Sequence, residues 1–435
     1  YMVTASIRAD GSSRFGADNK WGYFPSAALA WRVSDEAFLE NSSTISNLKL
    51  RASYGITGNT ALNPYQSLDR LNSTKYIFAN QADVIGFYPA GISNSELKWE
   101  TTGQLDVGFD LNLFNNRLRF VFDYYKKNTK DLLASVPLPS SVGFNSILRN
   151  LGEIQNSGVE FSIDADILRN DFKWDVSAQI SANRNKVIEL AGDSDIFGSA
   201  QAAVWPSANI AREGEPLGVF YGLLEDGLDE NDFIKYQDVS GPDGVPDGLV
   251  NTLDRVILGS YHPDFIYGLT SNFSYKGIEL NVMLEGVQGN ELFNATNGTH
   301  LNSFQRGNNQ FTDIIGNYWT AENPDPNAKY PKISSATQIT VSDRFIEDAS
   351  YLRVKSMRLA YNFPVSEIGL DDFDMLQLYI SGTNLFTFTN YSGIDPEVNT
   401  QGTDSSNIGD RLRFGHDQSS YPSAKIYAIG LKFRF

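Results

Sequence analysis

Apolar side chains occupy every odd position from Tyr427 to Phe435, and small or charged ones every even position between them. A period of two sends alternate side chains to opposite faces, so this segment reads as a strand with one greasy face and one wet face carrying Lys432 and Arg434. The pattern recurs along the chain. Leu105, Val107, Phe109, Leu111 and Leu113 alternate with Gln104, Asp106, Gly108, Asp110 and Asn112, and Val159, Phe161, Ile163, Ala165 and Ile167 alternate with Glu160, Ser162, Asp164 and Asp166. It predicts twelve strands near 1–10, 22–33, 47–57, 101–113, 117–128, 158–168, 173–183, 265–275, 278–286, 351–363, 376–386 and 424–435. Most are about ten residues, the length that a tilted membrane-crossing strand needs.

The connections sharpen this. Phe114-Asn115-Asn116, Asn170-Asp171-Phe172 and Lys276-Gly277 are tight turns, whereas 58–100, 185–264, 287–350 and 387–423 are long. Two connections on the short side, 34–46 and 364–375, exceed a turn, so the parity is a tendency. Short turns alternating with long loops are the asymmetry of an outer-membrane barrel. The expected fold is therefore all-β, an antiparallel transmembrane β-barrel with periplasmic turns and extracellular loops; a soluble all-β protein is the alternative. The last strand then descends and places Phe435 at the periplasmic rim. Trp31, Phe114, Trp174 and Phe363 would form the inner aromatic girdle, and Trp99 and Tyr351 the outer one.

Composition narrows the function classes. With 41% hydrophobic and 13% aromatic content over 435 residues, the chain can build one large domain, and no run approaches the ~18 apolar residues of a membrane helix. A formal charge of −17 argues against a nucleic-acid partner. With no cysteine, thiol catalysis, disulfides and Cys-ligated zinc are excluded. The chain opens in what reads as a strand interior, so it is expected to be the back part of a longer protein.

Several blocks are similar to the SusC/RagA family of TonB-dependent outer-membrane transporters of Bacteroidota. They are Arg8-Ala-Asp-Gly-Ser-Ser-Arg-Phe15 with Trp21-Gly-Tyr-Phe-Pro-Ser26, Leu48-Lys-Leu-Arg-Ala-Ser-Tyr-Gly55, Leu97-Lys-Trp-Glu-Thr-Thr102, Asn156-Ser-Gly-Val-Glu160, Pro263-Asp-Phe-Ile-Tyr-Gly268, Ala349-Ser-Tyr-Leu-Arg353, Asn384-Leu-Phe386, Asp395-Pro-Glu397 and Tyr421-Pro422. The resemblance implies that residues 1–435 are the C-terminal part, about twelve of 22 strands, of a barrel whose plug domain and TonB-contacting segment lie outside this chain. It implies TonB-energised import of oligosaccharides or peptides through the outer membrane, under a SusD-like surface lipoprotein acting as a lid, and it allows a dimer of that pair. Loops 58–100 and 132–157, with Pro64, Pro89, Pro137 and Pro139, would occupy the lid's hinge positions. Phe433 and Phe435 resemble the terminal aromatics by which barrels are recognised for assembly. A siderophore receptor, a passive porin and a surface-anchored β adhesin or glycan-binding protein are the alternatives.

Candidate chemistry is sparse, and the chain reads as a non-enzyme with no catalytic residue and no cofactor. Asp238, Ser240, Asp243 and Asp247 resemble a calcium loop, but Pro242 spoils the ligand spacing, so an Asp/Gly/Pro turn is the preferred reading. His262, His300 and His416 lack metal-ligand spacing. Same-face carboxylates such as Asp164 and Asp166 fit a hydrated lumen better than a glycosidase pair. Trp205, Phe304, Trp319, Tyr330 and Tyr391 lie in long loops, where they would either contact substrate or pack the loops.

Overall fold

The computed structural model describes residues 1–435 apart from 61, 78–83, 145, 191–193, 201–204, 303–308, 326–327, 334–338, 371 and 399–411. Its main element is one sheet of twelve strands. These are β1 (Met2–Gly11), β2 (Trp21–Arg32), β3 (Ile45–Asn59), β4 (Glu100–Leu113), β5 (Leu118–Lys130), β6 (Glu153–Arg169), β7 (Phe172–Glu189), β8 (Phe265–Tyr275), β9 (Ile278–Gln288), β10 (Tyr351–Phe363), β11 (Met375–Thr389) and β12 (Ile426–Arg434). Each strand pairs antiparallel with its chain neighbours in an up-and-down meander, with β1 and β12 at the two edges.

All twelve expected strands are present. Several run further toward the long loops than the alternation indicates, β6 starting at Glu153 and β7 ending at Glu189. There the strict alternation breaks, with polar runs around Asn156 and Asn185 and an isolated apolar pair, Ile154 opposite Val187, yet the ladder continues. Backbone hydrogen bonds carry it past the break in the pattern, which is why hydropathy alone misses it.

Register keeps the two faces separate across the sheet. Arg51 lies opposite Gly108, Gly108 opposite Asp123, and Asp123 opposite Glu160; further on, Asn272 meets Asn281, Asn281 meets Arg358, and Gln377 meets Lys432. A one-residue slip in any pair would carry charges onto the greasy face, so hydrophobicity fixes the register. The turns comply: Lys276 and Gly277 take φ of 44° and 84°, as a two-residue hairpin turn requires, and Phe114, Asn115 and Asn116 are all left-handed.

Burial is concentrated outside the sheet. The greasy face carries exposed Val3, Val107, Val159, Leu359, Ile380 and Ile429, as expected where hydrocarbon covers the strands. The largest buried cluster instead joins the loops after β7 and β9, and includes Trp205, Phe220, Phe293, Val341 and Phe345. One α-helix, Ala295–Asn302, is present among the described residues, and no helix is long and apolar enough to cross a membrane.

Near the short turns, Trp31 stacks on Tyr1 at 5.8 Å, Trp174 on Phe273 at 5.7 Å, and Phe363 meets Tyr361 at 4.9 Å. The expected outer girdle needs correction. Trp99 packs 5.2 Å from Phe15 and 5.5 Å from Phe24, under the loops. Tyr351 sits buried on the polar face and donates to Glu285 at 3.2 Å. A β-bulge between Val354 and Ser356 shifts the alternation, sending Tyr351 and Arg353 to the face opposite that of Met357 and Leu359.

Candidate functional site

The polar face carries a hydrogen-bonded ladder from strand to strand. Arg51 on β3 bridges Asp110 at 3.0 Å and Asp123 at 3.1 Å. Ser177 donates to Asp164 at 2.5 Å, Asn272 to Asp175 at 2.7 Å, and Gln377 to Asn362 at 2.8 Å and Glu279 at 3.1 Å. Most of these groups are partly solvated, so each ion pair contributes about 0–1 kcal/mol; together they make a hydrated, charge-mixed wall. A hollow of about 430 Å³ opens in it, with Asp123, Glu160, Gln179 and Glu285 around Gly268.

At the loop end of the sheet, three sequence blocks converge on Arg353, which is 2% exposed. Its guanidinium donates to Asp395 Oδ1 at 2.5 Å, to Thr387 Oγ1 at 2.9 Å and to Glu397. Lys355 reaches Glu397 at 3.2 Å and Glu285 at 3.4 Å. Asp395 also accepts from the backbone N–H groups of Ser423 at 2.8 Å and Glu397 at 3.0 Å. Burial raises the Asp395 pKa, but those amides and Arg353 outweigh it and hold the carboxyl below its usual range. The segments 349–353, 395–397 and 421–423 are thus one clamp fixing the last long loop to the wall.

The loop layer has an aromatic interior. Trp205 meets Phe293 and Phe345 edge-on at 5.3 and 5.4 Å. Gly298 of the helix lies under its ring, where an added Cβ would come within 2.2 Å of the indole. Tyr330 donates to Asp313 at 2.9 Å and Tyr391 to Asp417 at 2.8 Å. Trp205, Tyr330 and Tyr391 are all buried. In this structure they pack the loops and offer a ligand no ring face. Trp319 is half-buried with the Lys332 ammonium 5.4 Å from its ring, and Phe304 lies outside the described residues.

His416 and Asn209 are the pair that sequence reasoning missed. The buried His416 ring lies between Phe220 and Phe293 with one nitrogen on Asn209 Oδ1, while Asn209 Nδ2 donates to Gly218 O at 2.8 Å and Phe414 O at 3.3 Å. Burial, reinforced by Arg413, lowers the His416 pKa to about 3, so the ring is neutral. His262 likewise holds a loop, through Leu217 O at 3.0 Å. No sequence signal marked a pair 207 residues apart.

Loops 58–100 and 132–157 form one unit. Asn150 accepts from Lys98 N at 2.9 Å and donates to Lys98 O at 2.7 Å, above a small core of Phe15, Leu62 and Leu97 flanked by Leu133 and Leu148. From it projects the hairpin Leu71–Tyr76/Val84–Pro89, with Leu71, Ile85 and Phe87 exposed.

The calcium-like stretch is organised by its own backbone. Asp238 accepts from Asp247 N and Gly248 N, Asp247 Oδ1 from Leu249 N, and the fully buried Asp254 from Val239 N, Ser240 N and Asn251 N. The amides of Asn251, Ser240 and Val239 hold the Asp254 carboxyl below the usual carboxylate range. Asp238 and Asp247 thus serve as turn acceptors. Among the described residues, no group of three or more His, Asp or Glu is disposed to hold a metal. At the opposite end of the sheet, Phe435 packs 5.0 Å from Phe373 and 5.4 Å from Phe433, with both terminal rings largely exposed.

A family model described as TonB dependent receptor-like, beta-barrel, matches residues 1–385. The chain is 35% identical over 456 aligned residues to TonB-dependent receptor P3 of Formosa agariphila, covering 100% of this chain and 44% of that relative. It is 30% identical to TonB-dependent receptor SusC of Bacteroides thetaiotaomicron, covering 100% of this chain and 42% of that protein. The solved RagAB peptide transporter superposes with a TM-score of 0.82 at 26% identity, over 99% of this chain and 45% of its counterpart. The chain therefore spans somewhat under half the length of these relatives. With its meander of amphipathic strands, short turns at one end and packed loops at the other, the chain belongs to the TonB-dependent receptor β-barrel family of the bacterial outer membrane.

Proposed function

We propose that the complete protein imports oligosaccharides or peptides across the outer membrane, energised through TonB contacts made by a part outside this chain, beneath a SusD-like surface lipoprotein. The observation that carries the reading is the match to the RagAB peptide transporter over nearly the whole chain. It supports peptides as the first cargo class to test. The ladder from Arg51 to Gln377 suits passage of a polar solute: its mixed donors and acceptors exchange hydrogen bonds with cargo and water at little net cost. The joined loops 58–100 and 132–157, with their exposed hairpin, are where the lid would hinge.

Uptake of fluorescent peptides and oligosaccharides by cells carrying the full-length gene tests this. Uptake that disappears when TonB is deleted, or when the proton gradient is collapsed, is expected. Uptake indifferent to TonB would leave a passive porin, and uptake of ferric chelates alone would leave a siderophore receptor.

A further inference from the structure

On its lipid-facing side, β5 runs Leu118, Phe120, Phe122 and Tyr124, and the same alternation then continues with Lys126, Asn128 and Lys130. Register holds these three on that side: Lys126 lies opposite Leu105 of β4 and opposite Ser157 of β6. Ser157 in turn lies opposite Arg184 of β7, and Gln155 opposite Lys186. Neighbouring strands are about 4.8 Å apart, so Lys126 and Arg184 stand about 10 Å from one another along one row. All four cations are exposed. Toward the loop ends of β2, β11 and β12 the same face carries exposed Tyr23, Phe388 and Tyr427, an aromatic girdle that the basic cluster replaces on β5 and β7.

Depth and charge select what meets them. A tilted strand crosses the hydrocarbon in about 9–11 residues, and Lys126 follows the short turn by about that length, which sets it at the headgroups. A lipid-facing cation costs little there, because its aliphatic stem lies along the barrel while its charge reaches the polar layer. Lys130 pairs with Glu153 at 3.5 Å and Arg184 with Asp264 at 2.9 Å, but Lys126 and Lys186 make no ion pair with any described residue. The patch is thus net positive on a chain whose formal charge is −17. Beside it, on the same face, lies a hollow of about 370 Å³ with Tyr54, Ile56 and Leu105 on its apolar side and Lys126 and Lys130 on its charged side; Gly103 leaves its floor bare. A soluble anion has no use for the apolar side, and a neutral lipid none for the ammonium groups. We infer that Lys126, Lys130, Arg184 and Lys186 hold the headgroup of a phosphorylated glycolipid of the outer leaflet, broad enough to meet three strands, with an acyl chain along Tyr54, Ile56 and Leu105. This rests on the barrel's place in the outer membrane and on neither its cargo nor its lid.

The test uses the full-length transporter, stripped of lipid in detergent and titrated by native mass spectrometry with diphosphorylated lipid A or with lipid A whose phosphates have been removed enzymatically. The wild type should bind the phosphorylated form more tightly. Lys126→Ser with Lys186→Ser should weaken that binding at least about tenfold, with binding of the dephosphorylated form and the barrel's heat-modifiability unchanged. Inorganic phosphate should fail to displace the lipid. A photocrosslinking residue at position 157 of otherwise wild-type protein should label lipid in cells. The lipid comparison and the crosslink both keep the lysines, so they decide the matter even where the double variant does not fold. Equal affinity for the two lipids, wild-type affinity in the folded double variant, displacement by inorganic phosphate, or crosslinks confined to protein would each overturn the site.

Discussion

Replacing Arg353 with Met leaves Asp395 without its cation in a site where the carboxylate is 4% exposed. Breaking a buried ion pair from one side costs about 3–5 kcal/mol, because the remaining charge is stranded. Here the amides of Ser423 and Glu397 still satisfy Asp395, which places the cost at the lower end, about 3 kcal/mol. The loss should be local, since Arg353 ties a loop to the wall rather than strand to strand. At about 1.4 kcal/mol per factor of ten, amide exchange at Tyr391, Glu397 and Ser423 should accelerate by roughly a hundredfold while the β4 and β5 amides are unaffected. Asp395→Asn should act in the same direction, and the double variant should cost less than the sum of the singles. The pH dependence has a defined sign. Asp395 has a depressed folded pKa, so its contribution is complete above its unfolded value near 3.8 and is lost as pH falls through the lower folded value. The wild type and Arg353→Met should therefore converge in strong acid. Unchanged exchange at Ser423 and Glu397 in the single variant, or strictly additive costs, would refute the clamp.

Other outcomes follow from the same geometry. Trp205→Ala should cost about 3–5 kcal/mol and admit protease to the loops after β7 and β9, whereas a ring serving only cargo would leave proteolysis unchanged and alter uptake. Gly298→Val should reproduce much of that damage, since the added side chain meets the Trp205 ring. The folded His416 pKa, near 3, lies below its unfolded value of 6.5, so the loop layer should be fully stable above pH 6.5 and weaken as pH falls toward 3; His416→Phe should flatten that slope in acid-dependent hydrogen exchange. Removing Phe433 to Phe435 takes away the partners of Phe373 and should lower the amount of protein inserted in the outer membrane, with surface labelling as the readout.

The strands were legible because their signal is local: two residues suffice to show which face is wet, and each of the twelve repeats it. The same locality explains the errors. Alternation counted back from Met357 puts Tyr351 on the greasy side, and a single bulge residue reverses that count without disturbing hydropathy. Trp99, one residue before β4, has no ladder partner to fix its direction, and Phe15, far back in the chain on another loop, decides where it packs. Asp238 and Asp247, whose composition resembles a cation site, accept backbone amides a few residues away, as the turn reading of that stretch expects.

The sequence by itself determined the number and order of the strands, the polar and apolar faces, and the side of the sheet on which the long loops lie. Each of these follows from side-chain alternation and turn chemistry over a few residues. Only the tertiary structure decided that Arg353, Asp395 and Ser423 form one clamp, that His416 rests on Asn209, and that Trp205 is an interior residue. Those contacts join segments up to 207 residues apart. Their free energy comes from shared burial across loops, a property that no single segment carries.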